Sequence, residues 1–294
     1  MPENREFKSS TFSMLMDIPK EALKVYNALN HTNYTDETAL IMKKLEGGIS
    51  LSMRNDASFV LYSDLNIYEH QSTYNPNMPL RGLFYYAELI KPDVVSRDLY
   101  SRRKIKIPLP HFVVFYNGTE NRPAVEVQRL SDLFEKHVDN PELELVVTIY
   151  NINPGKNDAL LSACSTLKEY TLFVEKVRSN VTEGIALGDA IHKAVDDCIR
   201  EHILEDFLRE NRNEVEKSMA IDMTWEVREG LIRKEEREEG RLEGLMEGKS
   251  TERIHAIKNL IQKGQTKEFI LELAYSEEEY ETAKKRFDNT SHIS

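Results

Sequence analysis

A chain of 294 residues, 40% hydrophobic and 30% charged, is long enough to bury one sizeable core, and none of its apolar runs approaches the length of a membrane span. Its opening, Met1-Pro-Glu-Asn-Arg-Glu6, lacks the charged-then-apolar layout of a signal peptide, so the expected setting is cytoplasmic, with no membrane partner. The net charge of -11 excludes a uniformly basic nucleic-acid coat but leaves room for a local basic strip, and the two cysteines, Cys164 and Cys198, sit in helical apolar patterns that read as core thiols.

From Phe12 to Leu29 the apolar residues Leu15, Ala22, Leu23, Tyr26 and Leu29 recur at helical spacing, interrupted near Asp17-Ile-Pro19. Asp17 is expected to cap, and Pro19 to occupy the first turn of, a second helix in which Glu21 favours the positive end of the dipole. The polar segment from His31 to Glu46 reads as loop.

Between Gly48 and Gln71, alternation at Phe59 and Leu61, then Leu65 and Ile67, predicts two short strands joined by a tight turn at Tyr62-Ser63-Asp64. Antiparallel pairing about that turn brings Asp56 close to Glu69-His70-Gln71, near enough for the two carboxylates to share one divalent cation. Taken alone, such a hairpin reads as ordinary structure with exposed acids.

Pro79 opens a helix to Leu89, with Leu80, Leu83, Phe84 and Ala87 on one face and Arg81, Tyr85 and Glu88 on another. Arg81 either reaches a phosphate or pairs with a nearby carboxylate. A basic strip follows, Arg97-Asp-Leu-Tyr-Ser-Arg102-Arg103-Lys104-Ile-Lys106; Lys104 and Lys106 either border a nucleic-acid cleft or form a solvated rim. Pro108 and Pro110 hold the chain extended into Phe112-Val-Val-Phe-Tyr116, whose unbroken β-branched and aromatic run predicts a central strand ended by Asn117-Gly118.

A short helix at Leu130–Phe134, a strand at Leu143–Tyr150 extending the same sheet, a turn at Asn153-Pro-Gly155 and an amphipathic helix from Asp158 to Val177 complete an α/β domain placed at residues 1–179. A helical extension, residues 180–220, carries Ile191, Ala194, Val195, Cys198, Ile199, Ile203, Phe207 and Leu208 on one face, with His192 and His202 in packing or surface roles. Residues 221–262 turn to Glu, Arg and Gly; Gly240, Gly244 and Gly248 share one helix face, giving either a self-association stem or a solvated spacer. In residues 263–294, Thr266 and Ser276 are expected caps, Ser276 through a capping box with Glu279, and the acidic run Glu277 to Glu281 argues against DNA on that surface.

Asp56, twelve intervening residues, then Glu69-x-Gln71 resembles the PD-(D/E)xK nuclease motif, with Gln71 in the place usually held by lysine. The surrounding motifs, Asn55-Asp56-Ala-Ser-Phe59, Tyr68-Glu-His-Gln-Ser-Thr-Tyr-Asn-Pro-Asn77, Pro79-Leu-Arg81, Pro108-Leu-Pro-His-Phe-Val-Val-Phe-Tyr-Asn-Gly118 and Asn151-Ile-Asn-Pro-Gly155, are similar to the Rpn family of recombination-promoting nucleases and transposase-like proteins, over roughly residues 7 to 215. The resemblance implies an α/β, restriction-endonuclease-like core, a mixed central sheet flanked by helices, with a helical C-terminal extension.

It further implies hydrolysis of DNA phosphodiester bonds, tied to recombination or mobile elements. Asp56, Glu69 and Gln71 would be catalytic, and Mg2+ or another divalent cation would be held by Asp56, Glu69 and the backbone carbonyl of His70. Arg81, Arg102, Arg103, Lys104 and Lys106 would meet DNA; a homo-oligomer through the C-terminal helices is an expectation from the glycine spacing instead. Glutamine at position 71 can orient water but carries no charge and is no base at neutral pH. The family commonly has aspartate where this chain has Ser9, and some members of the superfamily place a further metal-binding acid at the position of Glu21. The competing expectation is a noncatalytic DNA-binding or oligomeric scaffold that retains the fold.

Overall fold

The computed structural model describes residues 10–44, 56–94 and 99–291; Ser9, Asn55 and Arg97 lie outside them. Helix α1 (Thr11–Met16) is capped by Ser10, and α2 (Pro19–Asn30) starts with Pro19 in its first turn, as expected. The cap differs from the expectation. Ile18 is the N-cap and makes no side-chain bond, whereas Asp17 closes the end of α1, because only one residue separates its backbone from the next helix.

A strand, β1 (Leu40–Lys43), occupies the segment expected to be loop. Four residues are too few for alternation to stand out; what makes them a strand is antiparallel pairing with β2 (Ala57–Leu61). The expected hairpin is present. Strand β2 pairs antiparallel with β3 (Asp64–Gln71) across the two-residue turn Tyr62-Ser63, where Tyr62 takes φ 54°.

Helix α3 (Met78–Ile90) then leads the chain to β4 (Leu109–Tyr116), which runs parallel to β3 with Asp64 opposite Leu109 and Gln71 opposite Tyr116. Pro110 is tolerated in this interior strand because the next neighbour, β6 (Val146–Asn151), pairs only from Val113 onward, so the missing N–H costs no ladder bond. Strand β5 (Val125–Arg129) closes the other edge, antiparallel to β6. The result is a six-stranded mixed sheet of order β1-β2-β3-β4-β6-β5, with β4 in its interior as its apolar run predicts.

Helices cover both faces. Alternation along β3 turns Tyr68 and His70 one way and Leu65, Ile67 and Glu69 the other. On the Tyr68 face, Phe59, Tyr68 and Phe115 join a core built from α1 and α2, from α4 (Asp158–Ala163) and α5 (Ser165–Thr182), from α6 (Leu187–Arg200) and from the first third of α7 (Glu205–Gln262). On the opposite face α3 buries Tyr85 and Leu89 against Leu65 and Ile67, while Met78 packs with Val114, Tyr116 and Ile149. The single helix expected from Asp158 to Val177 is two helices, broken where Cys164 turns extended (φ -128°, ψ 98°). Leu161 and Leu167 both stay buried across that break, so apolar spacing alone does not register it.

Residues 1–227 form one compact unit, in which the helices after residue 179 share the sheet's core, and residues 228–294 form another. In the second, the end of α7 packs Ile257 against Ile270 of α8 (Lys267–Glu272) and against Tyr280 and Ala283 of α9 (Glu277–Ser291). Thr266 caps α8 and Ser276 exchanges the expected pair of bonds with Glu279. A Cβ built at Gly240, Gly244 or Gly248 meets no atom within 4 Å. Among the described residues no helix is long and apolar enough to cross a membrane.

Candidate functional site

The hairpin's open end, remote from its turn, gathers the acids. Ala57 pairs with Tyr68, so the ladder's next step sets Asp56 against Glu69. Asp56 is half-buried and tightly held: its Oδ2 accepts from the His70 N–H at 2.7 Å, its Oδ1 from the Ser10 hydroxyl at 2.8 Å, and its own carbonyl from the Ser13 hydroxyl at 2.6 Å. Residue N–H and C=O leave an extended strand on the same side, so the His70 carbonyl also opens toward Asp56. The N-terminal turn of α1 thus fixes the first acid.

Glu69 is only 5% exposed and faces α3. Both its oxygens meet the Arg81 Nη2, at 3.3 and 3.4 Å, while Arg81 Nε donates to the Tyr85 hydroxyl at 3.0 Å. Of the two alternatives that the helical position of Arg81 leaves open, carboxylate pairing is the one observed. The two carboxylates therefore lean toward different layers, Asp56 toward α1 and Glu69 toward α3, across one strand edge.

Gln71, two residues on and on the face of Glu69, is 6% exposed. Its Oε1 accepts from the Asn75 N–H at 3.3 Å, and its Nε2 finds no partner among the described residues. The His70 ring lies on the other face, stacked on Phe12 at 5.3 Å with its Nε2 3.3 Å from the Tyr170 hydroxyl.

Burial dominates the electrostatics. It raises the Asp56 carboxyl against the opposing pull of the His70 N–H, Ser10 and Arg81. Burial and then the Asp56 charge push Glu69 up to about 8, with Arg81 and Tyr85 pulling it back. Burial, with Arg178 nearby, drops His70 to about 3. A further acid, Asp222 of α7, is pushed up to about 7 by burial, Asp56 and Glu226.

Asp222 is one of several residues here that sequence patterns did not single out. Arg178 of α5 binds the Asn117 side-chain oxygen at 2.7 Å, the Asn117 carbonyl, and Glu226 at 2.9 and 3.1 Å, tying α7 to the end of β4. Ser10, Arg178, Asp222 and Glu226 are distant in sequence, and only folding brings them to this corner. The one available signal was the Arg81–Tyr85 spacing of four, which puts both on one helix face.

The basic strip goes elsewhere. Arg102, Arg103, Lys104 and Lys106 are exposed, as expected, but Lys106 runs into Leu109, which pairs with Asp64 at the turn end of β3. Glu69 lies five residues further along, roughly 17 Å at the rise of a strand. A parallel partner runs in its neighbour's direction, so the residues before Leu109 lie toward the turn end of β3, and Lys104 and Lys106 do not enter β4 beside the acids. Glu21 is likewise engaged structurally, by Lys24 at 2.9 Å and the Thr166 hydroxyl at 2.5 Å. His192 and His202 pair at the surface with Glu216 and Glu205.

Two carboxylates and a backbone carbonyl are hard oxygen donors of the kind that suit Mg2+. Among the described residues no three His, Cys, Asp or Glu side chains converge in metal-holding geometry, and the positive group facing Glu69 is Arg81. Comparison with protein-family models, curated proteins and solved structures finds no match to this chain.

Proposed function

We propose that the chain is a divalent-cation-dependent DNA endonuclease with a PD-(D/E)xK-like core, of the kind found in the Rpn family and tied to recombination or mobile elements. One observation carries this reading: the hairpin sets Asp56 beside Glu69-His70-Gln71 and binds the Asp56 carboxylate to the His70 N–H. The cation, when bound, supplies positive charge to the phosphate and lowers the pKa of a water molecule.

The chain's own residues do the rest. Asp56 and Glu69 offer carboxylate oxygens and His70 its carbonyl, Ser10 and the His70 N–H keep Asp56 from turning away, and Gln71 carries a buried amide nitrogen with no partner among the described residues. Because Gln71 bears no charge, the positive charge that lysine brings in related sites has to come from the cation and from Arg81.

A second reading has its own support. Glu69 is buried and bonded to Arg81, an arrangement that also suits a catalytically inert DNA-binding scaffold assembling through the C-terminal helices. Supercoiled plasmid with Mg2+, Mn2+ or Ca2+ separates the two. The nuclease reading expects Mg2+- or Mn2+-dependent nicking that Asp56→Ala and Glu69→Ala each reduce at least about a hundredfold; cleavage indifferent to both substitutions removes these acids from the chemistry, and a wild type that binds but never cuts is the scaffold.

A further inference from the structure

Arg81 occupies an unusual position for a residue that would serve DNA. Its Nη2 spans both Glu69 oxygens at 3.3 and 3.4 Å, beyond the roughly 2.7–2.9 Å of a strong guanidinium–carboxylate bond. Its shorter contacts both go to the Tyr85 hydroxyl, a neutral group one helical turn away, from Nη2 at 2.5 Å and from Nε at 3.0 Å. The guanidinium is therefore anchored on Tyr85 and only loosely engaged with Glu69.

Exposure points the same way. The Arg81 side chain is 32% exposed and that of Glu69 7%, so the guanidinium meets solvent where the carboxylate barely does. A guanidinium favours an anion with several oxygens, and a phosphate matches its fork as well as a carboxylate does.

We propose that Arg81 is an exchange latch: it holds Glu69 in the free protein and leaves it for a backbone phosphate when a duplex docks, so that Glu69 accepts a divalent cation only as phosphodiester is bound. This deepens, and rests on, the nuclease reading. Arg81 is here a positioning residue whose two partners compete for one fork. The coupling is reciprocal: whatever factor the duplex adds to cation affinity, the cation adds to duplex affinity. The latch keeps the cation out of an unengaged site.

The test measures binding. Heat of Ca2+ binding to the full chain is recorded with and without a short DNA duplex, the duplex's own Ca2+ binding being subtracted, for wild type, Arg81→Ala and Tyr85→Phe. The inference expects Ca2+ affinity in the wild type to rise at least about tenfold with duplex, Arg81→Ala to bind Ca2+ equally with and without it, and Tyr85→Phe, which removes one hydroxyl and leaves the fold intact, to fall between. Wild-type Ca2+ affinity that ignores the duplex overturns the latch and leaves the nuclease reading standing. No Ca2+ binding by any of the three, with or without duplex, removes the cation site and the latch with it.

Discussion

At the scale of single residues, Glu69 is a carboxyl whose ionisation the fold opposes: it is buried, Asp56 faces it across the ladder, and Arg81 and Tyr85 only partly compensate. A carboxyl raised from 4.5 to about 8 binds its proton more tightly in the folded chain than in the unfolded one. The resulting stabilisation is fully present below the ordinary carboxylate range and is lost as pH rises through that window toward 8. In EDTA, the unfolding free energy of the wild type from urea titrations should therefore decline between pH 7 and pH 8, at a rate on the order of 1 kcal/mol per pH unit, and Glu69→Gln should flatten most of that decline. Below pH 7 Asp222, raised to about 7, adds a decline of its own, and below 6.5 His70, lowered to about 3, opposes both. An unchanged slope in Glu69→Gln would mean that the carboxyl is already ionised in the fold. The closeness of Asp56 to the Glu69 segment was legible because a two-residue repeat and a tight turn fix which residues oppose one another, whereas a role for Gln71 came from the resemblance to the nuclease motif. That Arg81 would cover Glu69 was open from its sequence position, since the same face of the helix could have pointed to solvent.

Among the elements, α7 is held over the sheet by a buried ion pair as well as by its apolar face. Arg178 and Glu226 have side chains only 15% and 12% exposed and bond at 2.9 Å, while the remaining donors of Arg178 hold Asn117 at the end of β4. Removing Glu226 leaves Arg178 a charge that Glu175, bonded at 3.2 Å but 42% exposed, only partly compensates, so Glu226→Ala should cost about 2 kcal/mol in urea unfolding of residues 1–227, several times what an exposed pair such as His202–Glu205 would lose. A cost below about 1 kcal/mol would show that apolar packing alone seats the helix. The end of β4 has a second steric requirement at Gly118, where any Cβ would run into the Ser72 carbonyl oxygen. The elements read most accurately from sequence were those with local signals, the hairpin, α3 and the caps at Thr266 and Ser276. Strand β1 and the break at Cys164 escaped because the first is stabilised by a partner strand and the second keeps its apolar residues inward.

The whole molecule divides near Val227, within a helix that continues from one compact unit into the next. Each unit has its own core, the larger around the sheet and the smaller around Ile257, Ile270, Tyr280 and Ala283. A chain ended after Arg237 should accordingly retain the amide protection of the sheet strands, with their opening free energy changed by less than about 1 kcal/mol, and lose only the exchange-protected amides of the C-terminal helices. Broad loss of protection across β2, β3 and β4 would instead make the last 57 residues part of one cooperative structure with the sheet. The sequence placed a boundary at residue 179, after the amphipathic helix that follows the last strand. Folding moves it later, because the apolar faces of α6 and early α7 have no core of their own and bury themselves against the sheet.

By itself the sequence determined the periodic features of this protein: the hairpin and its register, the interior strand at Phe112–Tyr116, and the pairing of Asp56 with the Glu69 segment. These follow from spacings of two and 3.6 residues and from turn chemistry, which are local properties. Tertiary structure alone decided that Ser10 fastens Asp56, that Arg81 covers Glu69, that α7 brings Asp222 and Glu226 to the same corner, and that the basic strip joins the sheet at its far end. Those outcomes depend on which faces must be buried against one another and on the direction in which a parallel strand has to start, and neither is written in any single stretch of the chain.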